Sequence, residues 1–384
     1  MTEIAKNTQE WVEGVIKKAD DKMNKVAKRL DGTMPFISIH GSYDDRSQNA
    51  VHAWTNGFIG GIFWMMYVLT DKKQYREMAE RNELQLDGAF RAYEKLDHDV
   101  GFMWIPTSGI RYKLFGEYES KIRMLRAADI LAGRFNLKGE FIRAWNQNGS
   151  FKPDGIYSII DSMMNISLLY WASEEIGDPR YKFIAETHAN TTIKEHIRED
   201  GSVIHIAAHD KETAELITTI AGQGYSRDSA WSRGQAWAIY GFIISYIHTK
   251  NEKYLNIAKI TANYFILSIQ DDFLPRCDFR SPEEPVYYDA SAGAIAACGL
   301  LELAKYCDEF DGIKYKKVAI KMLHALEENF CDWTDAEDAI LTHSSRKYAD
   351  GPDLMKGHNV PLIWGDYFFL EAIAKLKDEA FMIW

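Results

Sequence analysis

The chain has no long hydrophobic run, no paired cysteines, no surplus of positive charge and no proline- or serine-rich stretch. Each absence closes off a class of protein. The longest apolar run, Phe58–Leu69, is too short for the roughly 20 residues a bilayer-crossing helix needs and reads as a core helix, so no membrane partner is expected. The stretch 1–30 lacks a basic segment followed by an apolar one, so it is not a signal peptide. Instead Trp11, Val15, Met23, Val26 and Leu30 fall on one face of an opening helix, and a cytoplasmic location is expected. Cys277, Cys298, Cys307 and Cys331 contain no C-x-x-C pair and read as reduced core thiols, with Cys298 and Cys307 on one helix. With 56 acidic against 45 basic residues and a net charge of −11, the chain lacks the cations that nucleic-acid binding requires. No composition shift marks a boundary, and 1–384 reads as one domain.

Familiar catalytic motifs are missing too. There is no H-E-x-x-H, no P-loop, no nucleophile elbow and no sustained dinucleotide fingerprint. His205 and His209 stand four apart, a chelating distance on a helix. Around them, however, Val203, His205 and Ala207 alternate with Ile204 and Ile206, as in an extended segment, where the two rings are too far apart to share an ion. No metal is expected.

What is present is helical periodicity. It predicts helices over 1–30, 52–70, 72–94, 102–116, 119–134, 161–176, 179–198, 231–249, 252–270, 289–308, 313–330 and 364–378. Tight turns at Thr70–Asp71, Gly177–Asp178 and Lys250–Asn251 alternate with long links at 31–51, 135–160, 199–230, 271–288 and 331–363, and a brief one at 95–101. The pattern is that of six helical hairpins: an all-α fold in which every long loop gathers at one end, before every second helix. Long ordered loops on a rigid scaffold are where binding and catalysis concentrate.

The candidate chemistry lies in those loops. Aromatic residues make up 13% of the chain. Trp54, Trp104, Trp145, Trp231, Trp237, Trp364 and Tyr367 sit beside polar residues at loop–helix junctions, as walls of a carbohydrate cleft would. Each could equally be core packing. Asp161 opens a helix, where an aspartate is often an N-cap, yet its immediate neighbours are apolar. Burial would raise its pKa and suit it to general acid catalysis, whereas helix-start amides and a cation would lower it, so the sign is open. Asp99, in a short polar loop, is either a second catalytic carboxylate or a loop cap. Arg233 and Trp237 share a helix face, either as a carboxylate clamp beside a stacking platform or as packing.

The run Trp231-Ser232-Arg233-Gly234-Gln235-Ala236-Trp237-Ala238-Ile239-Tyr240-Gly241-Phe242 resembles the signature of the unsaturated glucuronyl hydrolases, glycoside hydrolase family 88. So do His98-Asp99-x-Gly101-Phe102, Ile160-Asp161 with Asn165, Ser291-Ala292, Ala296–Glu302 and Ile363–Tyr367. These matches run in order from about residue 50 to 372.

The resemblance implies an (α/α)6 barrel. It also implies a substrate: a lyase-generated di- or oligosaccharide with a 4,5-unsaturated uronic acid at its non-reducing end, processed without metal or organic cofactor. Asp161 matches the family's proton donor and general base, and Asp99 its second essential aspartate. His205, Gln223, Arg233 and Trp237 match substrate-contacting positions, and Trp54 and Trp145 match aromatic cleft walls. A monomer or weak homodimer is expected. A sister family acting on unsaturated rhamnogalacturonan is similar but tends to carry Asn where Gln235 stands. A non-catalytic sugar-binding relative would be expected to have lost Asp99 or Asp161, and both are present. Relatives that prefer sulfated fragments carry Arg before the glutamine matching Gln223 and a Ser-x-x-Ser-x-Lys element in the last long loop. Here Gly222 and Gly351–Gly357 stand instead, with only Lys356 retained, which speaks against a sulfated neighbouring sugar.

Overall fold

The computed structural model describes residues 3–146, 155–348, 357–378 and 380–384. Its helices follow the sequence periodicity closely. They are α1 (Glu3–Leu30), α2 (Asn56–Thr70), α3 (Lys73–Arg91), α4 (Val100–Trp104), α5 (Ile110–Phe115), α6 (Tyr118–Ala132), α7 (Ser162–Asn165), α8 (Ser167–Ile176), α9 (Pro179–His196), α10 (Ser232–Thr249), α11 (Glu252–Ser268), α12 (Ala290–Ala304), α13 (Glu309–Phe330) and α14 (Ile363–Lys377). The expected tight turns are present. Asp71, Gly177 and Lys250 adopt positive φ, and the amides of Asp71 and Lys250 close the last turns of α2 and α10.

Three departures have local causes. The helix expected over 102–116 is broken into α4 and α5 by a wide turn at Ile105–Gly109, in which the Ile110 amide reaches back five residues to the Ile105 carbonyl. Pro106 supplies no amide, and its ring obstructs the normal ladder. α13 starts at Glu309 rather than 313, because Asp308 caps it by accepting from the Asp311 amide; its polar first turn hides that start from a hydrophobic pattern. α12 ends before Cys307, and Cys307 and Cys331 are only half-buried, so two of the four thiols lie outside the core.

The helices close into two concentric rings. α2, α4, α7–α8, α10, α12 and α14 each pack on the next, and α14 returns to α2. α1, α3, α6, α9, α11 and α13 lie outside them. The product is an (α/α)6 barrel. Inner helices are surrounded by protein: every residue of Ser232–Ser245, Ala290–Leu303 and Ile363–Lys375 is buried. That environment accounts for their near-uniform hydrophobicity. α1 shows the opposite, amphipathic pattern, burying Val12, Val15, Ala19, Met23, Val26 and Leu30 along one stripe. No described helix is long and apolar enough to cross a membrane.

The long loops add a feature the helical pattern does not contain. Hairpins β1 (Ser38–Ile39) with β2 (Ser42–Tyr43), and β3 (Phe135–Asn136) with β4 (Phe141–Ile142), are small. A three-stranded antiparallel sheet is larger, with β5 (Ile156–Ile159) and β7 (Leu216–Ile220) flanking β6 (Ile206–His209). The extended reading of 203–209 is therefore correct. His209 donates through Nε2 to the Glu195 carboxylate at 2.8 Å and stacks on Phe141, while His205 lies beside Asp161, so the two histidines have separate partners.

Candidate active site

All the inter-hairpin loops meet at one end of the barrel and are stitched to their neighbours by backbone hydrogen bonds. His98 N–H donates to Ala144 O, Ile160 N–H to His205 O, Tyr348 N–H to Gln223 O, Ala290 N–H to His343 O and Ser38 N–H to Pro361 O. Among the described residues the rim loops are thus joined to one another, and the candidate residues from separate loops converge there.

Asp161 follows β5 and immediately precedes α7. It takes helical φ and ψ, and its carboxylate caps nothing. The N-cap alternative is therefore excluded by geometry. Its Oδ1 lies 3.3 Å from His205 Nε2 and has no well-aligned hydrogen-bond donor. The His205 ring is oriented from behind: the Gln223 amide donates to Nδ1 at 2.9 Å, which leaves the ring proton on Nε2, facing the carboxylate. Gly222 makes this approach possible. It adopts φ +61°, and a Cβ there would fall 2.1 Å from His205 Nδ1. Burial pushes the Asp161 carboxyl up, but His205, His98 and Arg233 outweigh it and hold the pKa below its usual value. The sign left open by the sequence is thereby decided: without substrate, Asp161 is ionised.

Asp99 precedes α4 and also caps nothing. The loop-capping role belongs to Asp97, whose Oδ1 accepts from the Asp99 amide at 3.0 Å. Asp99 Oδ1 instead accepts from Asn165 Nδ2 at 3.2 Å. The same amide nitrogen contacts the Asp161 carbonyl at 3.3 Å, and Asn165 Oδ1 accepts from the Phe102 amide at 3.0 Å. Asn165 therefore ties the two aspartate segments together. Gly101 permits the contact, since a Cβ at that position would lie 2.6 Å from Asn165 Oδ1. Burial, then the charges of Asp97 and Asp161, push Asp99 well above the ordinary carboxylate range. His98 completes the cluster, with Nδ1 2.9 Å from Ser162 Oγ and Nε2 3.4 Å from Asp99 Oδ1. Burial lowers its pKa to about 3, and it is neutral. The two neighbouring carboxyls thus have pKa values shifted in opposite directions.

Arg233 departs from expectation. It is buried, and its guanidinium donates to Asp289 Oδ2 and the Ser345 carbonyl through Nη1, and to the Arg346 carbonyl and Gln223 Oε1 through Nη2. It lies over Trp231 and Trp364, at 4.6 and 5.2 Å, not over Trp237. Trp237 is 1% exposed and packs on Phe102 and Phe368. This is the packing alternative in this structure: both η nitrogens serve protein acceptors, and the indole is enclosed. Arg233 organises the loops carrying Gln223 and Ser345, and its charge acts on Asp161 through space. Trp104, Trp231, Trp364 and Tyr367, each at most 2% exposed, are likewise interior, because the rim loops cover the inner-helix starts. Trp54 and Trp145 alone of that set keep accessible surface. Trp54 leans on Trp364 and Phe102, and Trp145 stands edge-on to His98. The Gly351–Lys356 element lies outside the described residues.

His98, Asn165 and Asp289 belong to the site and were not singled out from the sequence as site residues. Adjacency to Asp99 and the i+4 spacing from Asp161 were signals for the first two. Asp289, which both caps α12 and pairs with Arg233, gave none. Among the described residues, Asp97, His98 and Asp99 are grouped closely enough to hold an ion.

The family model for glycosyl hydrolase family 88 matches residues 23–351. An unsaturated chondroitin disaccharide hydrolase of Streptococcus pneumoniae is 35% identical over 86% of this chain and 83% of its own. An unsaturated glucuronyl hydrolase of a Bacillus species is 35% identical over 86% and 88%. The crystal structure of the unsaturated glucuronyl hydrolase of Streptococcus agalactiae superposes with a TM-score of 0.89 at 30% identity, covering 100% of this chain and 94% of that one.

Proposed function

The chain belongs to glycosyl hydrolase family 88, and from that membership we propose that it releases the 4,5-unsaturated uronic acid from the non-reducing end of lyase-generated oligosaccharides, with residues 1–384 acting as a single catalytic unit. The relatives' activities on unsaturated glucuronyl and chondroitin disaccharide substrates support this reading. The observation that carries it is the non-capping Asp161, oriented by His205 and tied through Asn165 to the buried Asp99.

The substrate's C4=C5 bond is an enol ether. Protonation at C4 places positive charge at C5, shared with the ring oxygen. Water adds at C5, and its proton passes to the carboxylate that gave up the first one. The hemiketal opens to a ketone at C5, the anomeric carbon becomes a hemiacetal, and that collapses to release the remaining sugar. Asp161 is the acid and then the base. Asp99, His98 and Asn165 hold its surroundings, Trp54 and Trp145 line the cleft, and His205 and Gln223 face the bound sugar. The two-carboxylate separation rule of ordinary glycosidases does not govern this chemistry.

Asp161 must gain a proton before it can donate one. A bound uronate brings a negative charge beside it, raising a pKa that is depressed in the free chain. The rate falls as pH rises through the pKa of a required acid. The basic limb of kcat, which reports the complex, is therefore expected at higher pH than that of kcat/KM, which reports the free enzyme. Coincident limbs would contradict this assignment of the acid.

The direct test is a panel of unsaturated disaccharides, followed by loss of the enoate's ultraviolet absorbance. Gly222 supplies no cation, so a 6-sulfate lacks a charge-assisted contact of roughly 1.5–3 kcal/mol, and unsulfated or differently sulfated substrates are expected to be processed better than 6-sulfated ones. Gly222→Arg should not install a sulfate preference. The positive φ and the His205 ring leave no room for a Cβ, and kcat should fall for every substrate. A clear 6-sulfate preference in the native chain would refute this account of the loop, and turnover of none of the panel would refute the function.

A further inference from the structure

The end of the barrel opposite the loops is closed by the segment that follows α14, and Trp384 enters the inner ring from there. It is 5% exposed. Its indole Nε1 donates to both carboxylate oxygens of the buried Glu371, at 3.2 and 3.0 Å. Its ring lies 5.8 Å from Phe368, nearly parallel, and 5.8 Å from Phe102, edge-on. Phe102 is the point at which this end meets the site. Its ring touches Trp54, a half-buried wall of the cleft, at 5.5 Å. Its amide donates to Asn165 Oδ1, the side chain that spans Asp99 and the Asp161 carbonyl. A contact network therefore runs from Trp384 through Phe102 and Asn165 to both aspartates.

We propose that Trp384 is a positioning residue for the hydrolytic site: its ring holds Phe102 where the Phe102 amide can fix Asn165, and through Asn165 the placement of Asp99 relative to Asp161. The inference rests on the uronide-hydrolase reading above. It follows from packing. Phe102 has aromatic neighbours on both sides, and removing the indole takes away one of them and also removes one of the donors to Glu371, leaving the Tyr240 hydroxyl. Interiors are dense enough that such a gap is transmitted as a shift of the neighbouring ring, and a shift of about 1 Å at reacting groups can cost on the order of 10²-fold in rate.

The test compares Trp384→Ala with Trp384→Phe, well below the melting temperature of each. In Trp384→Ala, kcat should fall by about 10- to 100-fold, with KM little changed. Trp384→Phe, which keeps a ring, should retain most activity. Added indole should restore kcat to Trp384→Ala, because the vacated space adjoins a cavity of about 320 Å³ lined by Trp171, Met124, Ile247 and Met382. A carbon-13 titration of Asp99, assigned with Asp99→Asn, supplies a readout that does not depend on turnover. Asp97, His98, Asp161, Asn165 and Arg134 face or act on that carboxyl. The Asn165 bond lowers its pKa, so loosening the bond should move the titration to higher pH.

An unmoved Asp99 titration overturns the proposal whatever happens to kcat, as does wild-type kcat in folded Trp384→Ala, even with a lowered melting temperature. If Trp384→Ala does not fold, Trp384→Leu is held to the same criteria. Should the native chain turn over no unsaturated uronide, the functional reading fails on its own, and the titration still decides whether Trp384 positions Asp99.

Discussion

Asp161→Asn should abolish turnover, by at least about 10²–10⁴-fold, while leaving the fold and substrate binding intact. The carboxamide has nearly the same shape and keeps the contact with His205, but it can neither protonate C4 nor take the proton of the attacking water. Both steps pass through this one side chain, so the loss belongs in kcat rather than KM. Stability near neutral pH should fall slightly, because the fold holds the Asp161 pKa below its usual value and the ionised form therefore contributes stability that the carboxamide lacks. Near-normal turnover by a pure, folded Asp161→Asn protein would remove Asp161 from the mechanism.

The second large effect concerns the bond that reacts first. Saturated glucuronides of the same linkage should not be cleaved at a measurable rate, because they offer no alkene to protonate. In heavy water, early product should carry deuterium at C4 of the released sugar, before exchange next to the new ketone scrambles the label. Mass spectrometry of product collected at low conversion reads this directly. An unlabelled C4, or efficient cleavage of a saturated glucuronide, would mean protonation of the glycosidic oxygen and an ordinary glycosidase.

The two aspartates show where a linear sequence is informative. Asp161 and Asp99 were legible because each stands at a loop–helix junction next to apolar or aromatic residues, within an ordered set of family-like elements. Their charge states were not legible. Burial, and then the charges of Asp97 and Asp161, raise the pKa of Asp99. Asp161 loses its proton because His205 arrives from a loop after α9, oriented by the Gln223 amide. A pKa depends on what lies within a few ångströms, whatever its place in the chain. Arg233 teaches the same lesson in a different form. Its helix face was correctly read from the four-residue spacing to Trp237, but its partners, Asp289, Ser345 and Arg346, come from loops 56, 112 and 113 residues away. Those loops convert an apparent clamp into an internal brace.

The sequence alone determined the succession of helical hairpins, the alternation of short and long links, and therefore the gathering of the functional loops at one end. These follow from local periodicity and turn residues, which act over a few positions of the chain. Tertiary structure alone decided which tryptophans keep accessible surface, which way each carboxyl's pKa is shifted, and that Asn165 and Phe102 link the aspartates to Trp384. Those outcomes depend on burial and on through-space contacts between segments far apart in sequence, and no local pattern encodes them.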